Sequence, residues 1–356
     1  MENANSTPSV SGPSAMEDDW ITLLKDNRRS GGQAPTALVA PVRARWQMRL
    51  GHSIRSAPVL RDEILFVTSI SGFLHAIRAD NGVLKFKFPA GGSIHSTPAL
   101  IGNKVLFGCD NGKVFAVERN SGAKEWEVAS GVEVWASPVV RDGVVFFGNA
   151  GGAFYAVELR SGELRWKQAL GGRIYSTAYA AEKRIYVGCG DSNVYCLDAA
   201  TGKIEWKAPT GKGIDSSPAV VGNVVLIGSQ DFFLYALDAN DGSLKWKYET
   251  GLGISSSPAI SGDLVIVGSK DGYLHAVELA TAQPKWKQQV GEVATASPLV
   301  EDGVVYIQAG GTGALDVATG KVLWRAWLGT SVQSVPVVSG KSVYLASNDG
   351  EVYALE

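Results

Sequence analysis

The sequence predicts an all-β ring, an eight-bladed β-propeller of four-stranded antiparallel blades closed by an N-terminal strand that completes the last blade. Three observations predict it. A tryptophan-centred phrase returns at a nearly fixed spacing: Trp46, Phe86, Trp126, Trp166, Trp206, Trp246 and Trp286 follow one another by 40 residues, and Trp324 by 38. Each period reads as four short strands separated by turn signals, the mark of a propeller blade. The chain also stops at "YALE", before the eighth period has a fourth strand, while an orphan fourth strand, "VRARWQMRL", stands ahead of the first period.

Within a period the order of elements is constant. In the fifth, the inner strand is "IDSSPAVV", and "GN" turns into a second strand, "VVLIGS". The hairpin "QDF" leads into a third strand, "FLYALD", and "ANDG" leads into the outer strand, "LKWKYET". Valine, isoleucine, tyrosine and tryptophan fill the strands, as a pleated and half-buried surface favours. Gly and Asn-Gly punctuate the turns that need positive φ. The prolines of Ser-x-Pro or its equivalent agree with the period: Pro58, Pro98, Pro138, Pro218, Pro258, Pro298 and Pro336, with Ala178 standing in once. Residues 43–50 are expected to finish blade eight from the other terminus, which leaves no open sheet edge in the ring. Three parts follow: a tail over 1–17, rich in Ser, Asn and Pro; a lead-in segment over 18–42 packing on the propeller; and one propeller over 43–356.

Composition narrows the function. The net charge is −2, without the concentrated basic face that nucleic acid or an anionic membrane requires. The basic neighbours of the recurring tryptophan, as in "RWK" and "KWK", are read as lysines protecting outer sheet edges. No apolar run is long enough to span a membrane as a helix. The first residues lack the basic start and apolar core of a signal peptide, so a cytoplasmic location is expected, or a periplasmic or extracellular one if a signal has been removed. The three cysteines, Cys109, Cys189 and Cys196, give no disulfide framework and read as buried free thiols, although Cys189 and Cys196 flank one hairpin and could approach each other. "DANDGS" (238–243) begins like a calcium loop but lacks the distal bidentate Glu, and is read as a turn. His75 and His275 stand where other copies carry Tyr or Phe and are read as packing residues. No metal site and no cofactor is expected.

The repeated phrase, in the fifth copy "SSPAVVGNVVLIGSQDFFLYALDANDG…W", resembles the pyrroloquinoline-quinone-like β-propeller repeat family. That family includes the quinoprotein alcohol dehydrogenases and the lipoprotein of outer-membrane barrel assembly. The resemblance covers residues 43–356, and "DDWITLLKDNRRSGG" (18–32) resembles the lead-in seen before such propellers. It implies that Trp46, Phe86, Trp126, Trp166, Trp206, Trp246, Trp286 and Trp324 dock neighbouring blades together. The dehydrogenases carry a vicinal cysteine pair against the quinone, acid, Asn and Asp residues around calcium, and long insertions that cap the cofactor. This chain has no Cys-Cys, and no copy exceeds the bare blade. It is similar to the assembly lipoprotein in size and simplicity, without its export and lipid signals.

One position breaks the monotony. Just before the Ser-x-Pro step or its equivalent, the copies read Arg55, His95, Trp135, Tyr175, Asp215, Ser255, Thr295 and Gln333. The neighbours of this position barely change, yet each copy has a different residue, all polar or aromatic. It begins the inner strand and is expected to line the mouth of the central channel. The hairpin between second and third strands opens on the same face. There the fifth copy places Phe232 where the turn prefers Gly, followed by Phe233, and the seventh copy is two residues shorter. The mouth is therefore expected to be aromatic over blades three to five (Trp135, Tyr175, Phe232, Phe233) and cationic over blades one and two (Arg55, His52, His95). Tyr, Trp, Phe and Arg are the side chains that anchor protein interfaces. The expected function is a non-catalytic, monomeric scaffold binding a protein partner through this face. The alternatives are a small-ligand or glycan binder at the central funnel, and a quinoprotein-type dehydrogenase. Asp215, His95 and a serine lie too many blades apart to form a hydrogen-bonded triad.

Overall fold

The computed structural model describes residues 20–21, 43–309, 311–326, 334–340 and 342–356. They form eight antiparallel sheets with an inner, second, third and outer strand, in chain order in the first seven blades. Blade 5 is representative, with strands Ala219–Val221, Val224–Gly228, Phe233–Asp238 and Leu244–Glu249. Its register pairs Leu226 with Ala236 and Ala236 with Trp246, and a bulge after Ala236 shifts the outer strand. The second and third strands are buried on both faces, because blades pack face to face. The outer strands alternate, with one buried ring among exposed charges, as in Lys124–Ala129 around Trp126. The core is a series of clusters shared by adjacent blades; one joins Tyr186, Cys196 and Trp206 of blade 4 to Val225, Ile227 and Tyr235 of blade 5.

The expected closure is present. Ala44–Arg49 pairs antiparallel with Glu351–Leu355, so the outer strand of blade 8 comes from the N-terminal side. Arg45 fixes the seam: its guanidinium donates to the carbonyls of Ala79 (2.8 Å) and Asp80 (2.6 Å) in blade 1 and pairs with Glu356 at 2.7 Å. The tail over 1–17 lies outside the described residues. So does the lead-in over 18–42, except that Trp20–Ile21 pairs with the inner strand of blade 2, Trp20 opposite Ile101 and Ile21 opposite Leu100.

The recurring rings dock as the repeat implies. The indole Nε1 of Trp46 donates to the carbonyl of Ala79 in the next blade at 2.8 Å. Trp126, Trp166, Trp206, Trp246 and Trp286 do the same to Leu159, Ala199, Ala239, Leu279 and Val317 at 2.9–3.2 Å. Trp324 is buried in the seam with blade 8, and Phe86, which has no N–H to give, packs without this bond. Trp46, Phe86, Trp126, Trp166, Trp206 and Trp286 also lie on a glycine turn of the following blade. A Cβ at Gly202 would stand 2.4 Å from the Trp166 ring, and its φ of +73° is one that glycine adopts without strain. Truncating such a buried ring costs ~3–5 kcal/mol.

A second device joins the blades around the axis. In six blades the middle residue of the Ser-x-Pro step or its equivalent gives its backbone N–H to the side-chain hydroxyl of the same residue one blade on. Ala57 donates to Thr97 (3.0 Å), Thr97 to Ser137 (2.9 Å) and Ser137 to Thr177 (3.2 Å). Thr177 donates to Ser217 (2.9 Å), Ser217 to Ser257 (3.0 Å) and Ser257 to Ser297 (2.8 Å). Blade 8 has Val335 at this place and blade 1 has Ala57, so the hydroxyl chain lapses where the closing strand takes over.

Cys109, Cys189 and Cys196 are free and buried. "DANDGS" is a hairpin turn, its Asp238 carboxylate accepting from the Asn240 N–H at 2.8 Å. His75 and His275 are buried packing residues, 5% and 1% exposed. Burial holds His75 neutral, pushing it down from 6.5 to about 4, and its Nδ1 has no hydrogen-bond partner. The unfolded chain therefore takes up a proton below pH 6.5 that the native state resists until about pH 4. Stability rises with pH across that window and is lost as pH falls through it, by about 3 kcal/mol from this residue. His75→Tyr, the residue found at Tyr155, Tyr195 and Tyr235, is expected to flatten the acid limb of the melting profile between pH 7 and about 4.5. An acid limb as steep as that of the wild type would contradict this.

Candidate functional site

The mouth is built by two sets of loops. The loop leading into the inner strand lies beside the hairpin between second and third strands of its own blade. The Asp110 N–H donates to the Ser93 carbonyl at 2.9 Å, and Gly190 N–H and Gln230 N–H repeat the bond to Arg173 and Gly213. The residue before each variable position is an aliphatic side chain buried in the blade interface: Ile54, Ile94, Val134, Ile174, Ile214, Ile254 and Ala294 are all 0% exposed. Burial alternates here, with Ile54 and Ser56 buried and Arg55 exposed, but the inner strands begin only at Val59, Ala99 and Val139, so the variable residue lies in the loop before the inner strand and not at its start as the sequence suggested. Arg55 and Trp135 are exposed, and His95, Tyr175, Asp215, Ser255 and Thr295 are half-buried. Gln333 lies outside the described residues.

Three of these residues form one aromatic arc. Trp135 stacks on Tyr175 with ring centroids 4.6 Å apart, and the His95 ring lies 4.7 Å from the indole at a tilt of 35°. The Arg173 guanidinium sits 5.2 Å from the Tyr175 ring. His95 Nε2 stands 3.4 Å from an Asp110 carboxylate oxygen. Burial, reinforced by Arg55, holds the His95 imidazole below its ordinary value against the pull of Asp110. At neutral pH it therefore belongs to the aromatic arc. His95 therefore leaves the cationic set expected over blades one and two, where Arg55 and His52 are both exposed.

Beyond Arg173 the ring of residues becomes polar. Arg173 approaches Asp215 at 3.7 Å. Gln230 Nε2 donates to Asp215 (2.9 Å) and Ser255 (2.8 Å), while Gln230 Oε1 accepts from Lys270 Nζ (2.8 Å). Asp215 thus serves this network and does not approach His95.

The hairpin of blade 5 departs in part from expectation. Phe232 holds φ at +83°, where Gly72, Gly112, Gly152 and Gly272 stand in other blades. That backbone is a true outlier for a bulky residue and stores ~1–3 kcal/mol of strain. Its ring is half-buried, with Lys212 Nζ 5.1 Å from the centroid. Phe233 does not join it. As the first residue of the third strand it turns away, under Lys247 at 4.1 Å and against Tyr235, and it leaves the mouth set. Phe232→Gly is expected to raise stability by about 1 kcal/mol in a thermal melt through release of strain. A clear loss of stability would show that the ring is a packing element.

Arg173, Gln230, Lys270 and Asp110 are mouth residues that the single variable position did not reveal. Three of them occupy a second divergent position, read across blades 1–6 as Ile70, Asp110, Ala150, Gly190, Gln230 and Lys270. Burial pushes the Cys189 and Cys196 thiols up to about 12, so neither is a thiolate nucleophile at neutral pH.

The family model described as outer membrane protein assembly factor BamB matches residues 37–179 and 170–356, nearly the whole ring. The chain belongs to the BamB family. Among solved structures, BamB from Moraxella catarrhalis is similar over 88% of this chain and 99% of its own, with 20% identity and a TM-score of 0.76. The quinohemoprotein alcohol dehydrogenase from Comamonas testosteroni shares 16% identity over 95% of this chain and 80% of its own, with a TM-score of 0.81. The computationally designed Ika8 protein matches 86% of this chain and 97% of its own at 17% identity and a TM-score of 0.77. These likenesses show the eight-bladed fold. No curated protein sequence matches the chain. The BamB-family fold is consistent with an interaction scaffold, and the dehydrogenase shows that the same ring also carries oxidoreductases.

Proposed function

We propose that this BamB-family propeller is a non-catalytic scaffold that binds a protein partner, a component of outer-membrane protein assembly, through its mouth face. The arc His95–Trp135–Tyr175 carries the reading. Trp135 is held between neighbours, 4.6 Å from the Tyr175 ring and 4.7 Å from the His95 ring, and is still 36% exposed. A rigid aromatic arc flanked by Arg55 and Arg173 suits a protein surface, where such side chains form anchors at low entropic cost. The polar half, Arg173–Asp215–Gln230–Lys270, supplies charge and hydrogen bonds around the anchor.

A dehydrogenase role has less support. The chain lacks the vicinal cysteines that the resemblance attaches to quinone binding, and Asp215 is committed to Gln230. The test is affinity capture on the intact chain, with and without Trp135→Ala and Phe232→Ala. Retention of an envelope assembly protein by the wild type alone supports the proposal. Saturable quenching of intrinsic tryptophan fluorescence by pyrroloquinoline quinone with calcium would favour the enzyme.

A further inference from the structure

We propose that the cleft between blades 6 and 7 is a binding site for a small phenol, whose ring takes the place that seven blades fill with a ring of their own. The third strand carries His75, Phe115, Tyr155, Tyr195, Tyr235, His275 and Tyr353 at one position, each at most 7% exposed. These rings pack toward the outer strand of the preceding blade. Allowing for the two-residue deletion in copy seven, the matching residue of blade 7 is Gly313. A cleft of about 320 Å³ opens there, lined by Val290, Ile307, Gly313, Leu315, Val322 and Arg325. That volume lies at the lower end of the range for small-molecule sites.

Neither backbone conformation nor close packing demands this glycine. Its φ is outside the left-handed region, and an added Cβ would meet only the Trp324 carbonyl oxygen at 3.5 Å, Arg325 Cγ at 3.6 Å and Ile307 Cγ2 at 4.0 Å. Those are ordinary contacts. Gly108, by contrast, would drive a Cβ to within 2.3 Å of Val134. Blade 7 could hold a side chain here and holds none.

The surroundings that serve the Tyr155 ring in blade 3 have counterparts in blade 7. The cross-strand neighbour of the ring is a lysine in five blades: Lys87, Lys167, Lys207, Lys247 and Lys287. Lys167 Nζ lies 5.1 Å from the Tyr155 ring, while Lys87, Lys247 and Lys287 lie over the rings of Phe73, Phe233 and Tyr273 at the start of the same strands. Opposite Gly313 the residue is Arg325, whose Nη2 donates to the Gln289 carbonyl at 2.9 Å. A guanidinium held in this way makes a better lid over a π-face than an ammonium. In blade 3 the Tyr155 hydroxyl donates to the Ser130 carbonyl at 3.1 Å. The residue at the place of Ser130 in blade 6 is Val290, which lines the cleft, so a phenol hydroxyl has the matching carbonyl to donate to.

The test uses the intact chain and p-cresol, followed by saturation-transfer NMR, with 4-methylcyclohexanol as the non-aromatic counterpart. Saturable p-cresol binding on the order of millimolar is expected, with the cyclohexanol at least about fivefold weaker because it offers Arg325 no π-face. Gly313→Tyr restores the internal ring and is expected to abolish binding while keeping or raising Tm. Gly313→Ala, which intrudes less and serves if the tyrosine disturbs folding, is expected to weaken binding. Absence of saturable binding to the wild type, equal binding of the two probes, or unchanged binding to a folded Gly313 variant overturns the proposal. Tighter binding of acetyl-Gly-Tyr-Gly-amide than of p-cresol would mean that the ring belongs to a peptide, and the small-phenol assignment would fall.

Discussion

Deleting residues 1–50 is expected to destabilise the whole ring, while deleting residues 1–16 leaves Tm unchanged. The longer deletion removes the closing strand Ala44–Arg49, and with it the partner of Glu351–Leu355. It removes Trp46 from the turn at Gly82, where the indole lies 2.9 Å from a Cβ position, and from the Ala79 carbonyl. It also removes the Arg45 clamp onto blade 1. Loss of the tryptophan alone is worth about 3 kcal/mol, against a total stability of ~5–15 kcal/mol. The effect is concentrated at this seam because Val335 and Ala57 lack the hydroxyls that tie the other blades together. Residues 1–16 are rich in Ser, Asn and Pro, a composition that buries little. Coincident melts of the two truncations would refute the closure mechanism.

Replacing Trp135 and Phe232 together by alanine is expected to weaken partner binding about 30- to 1,000-fold, the equivalent of ~2–4 kcal/mol for a lost aromatic anchor. The double variant should melt close to the wild type. Trp135 is 36% exposed and belongs to no blade-interface cluster, and Phe232 is half-buried at a hairpin tip where alanine keeps a Cβ on the same backbone. Lys85→Ala with Lys207→Ala, on exposed outer-strand positions, is the matched control and should leave binding intact. Loss of binding in the rim pair with retention in the mouth pair would move the functional surface to the circumference.

Much of this was legible in the sequence because the repeat makes the chain its own alignment. The 40-residue spacing fixed the blades, the docking rings and the closing strand. The hydroxyl chain was also readable, since the middle residue of the Ser-x-Pro step is Ser or Thr in Thr97, Ser137, Thr177, Ser217, Ser257 and Ser297. Gln230 and Lys270 could have been found by applying the divergence argument to the hairpin position as well. Grouping Phe232 with Phe233 ignored strand alternation, which sends adjacent side chains to opposite faces. The charge of His95 was not readable, because burial, Arg55 and Asp110 set it jointly, and their distances exist only in the folded ring. Gly313 was visible only as part of a shortened copy. Its meaning required the cleft.

The central claim is that the mouth is the contact surface, and photo-crosslinking tests it most directly. A benzophenone side chain in place of Val132, exposed on the mouth and outside the aromatic arc, should give one discrete protein adduct on irradiation in native cells. The same group at Lys207 should give none. An adduct from position 207 with none from position 132 would contradict the assignment of the mouth.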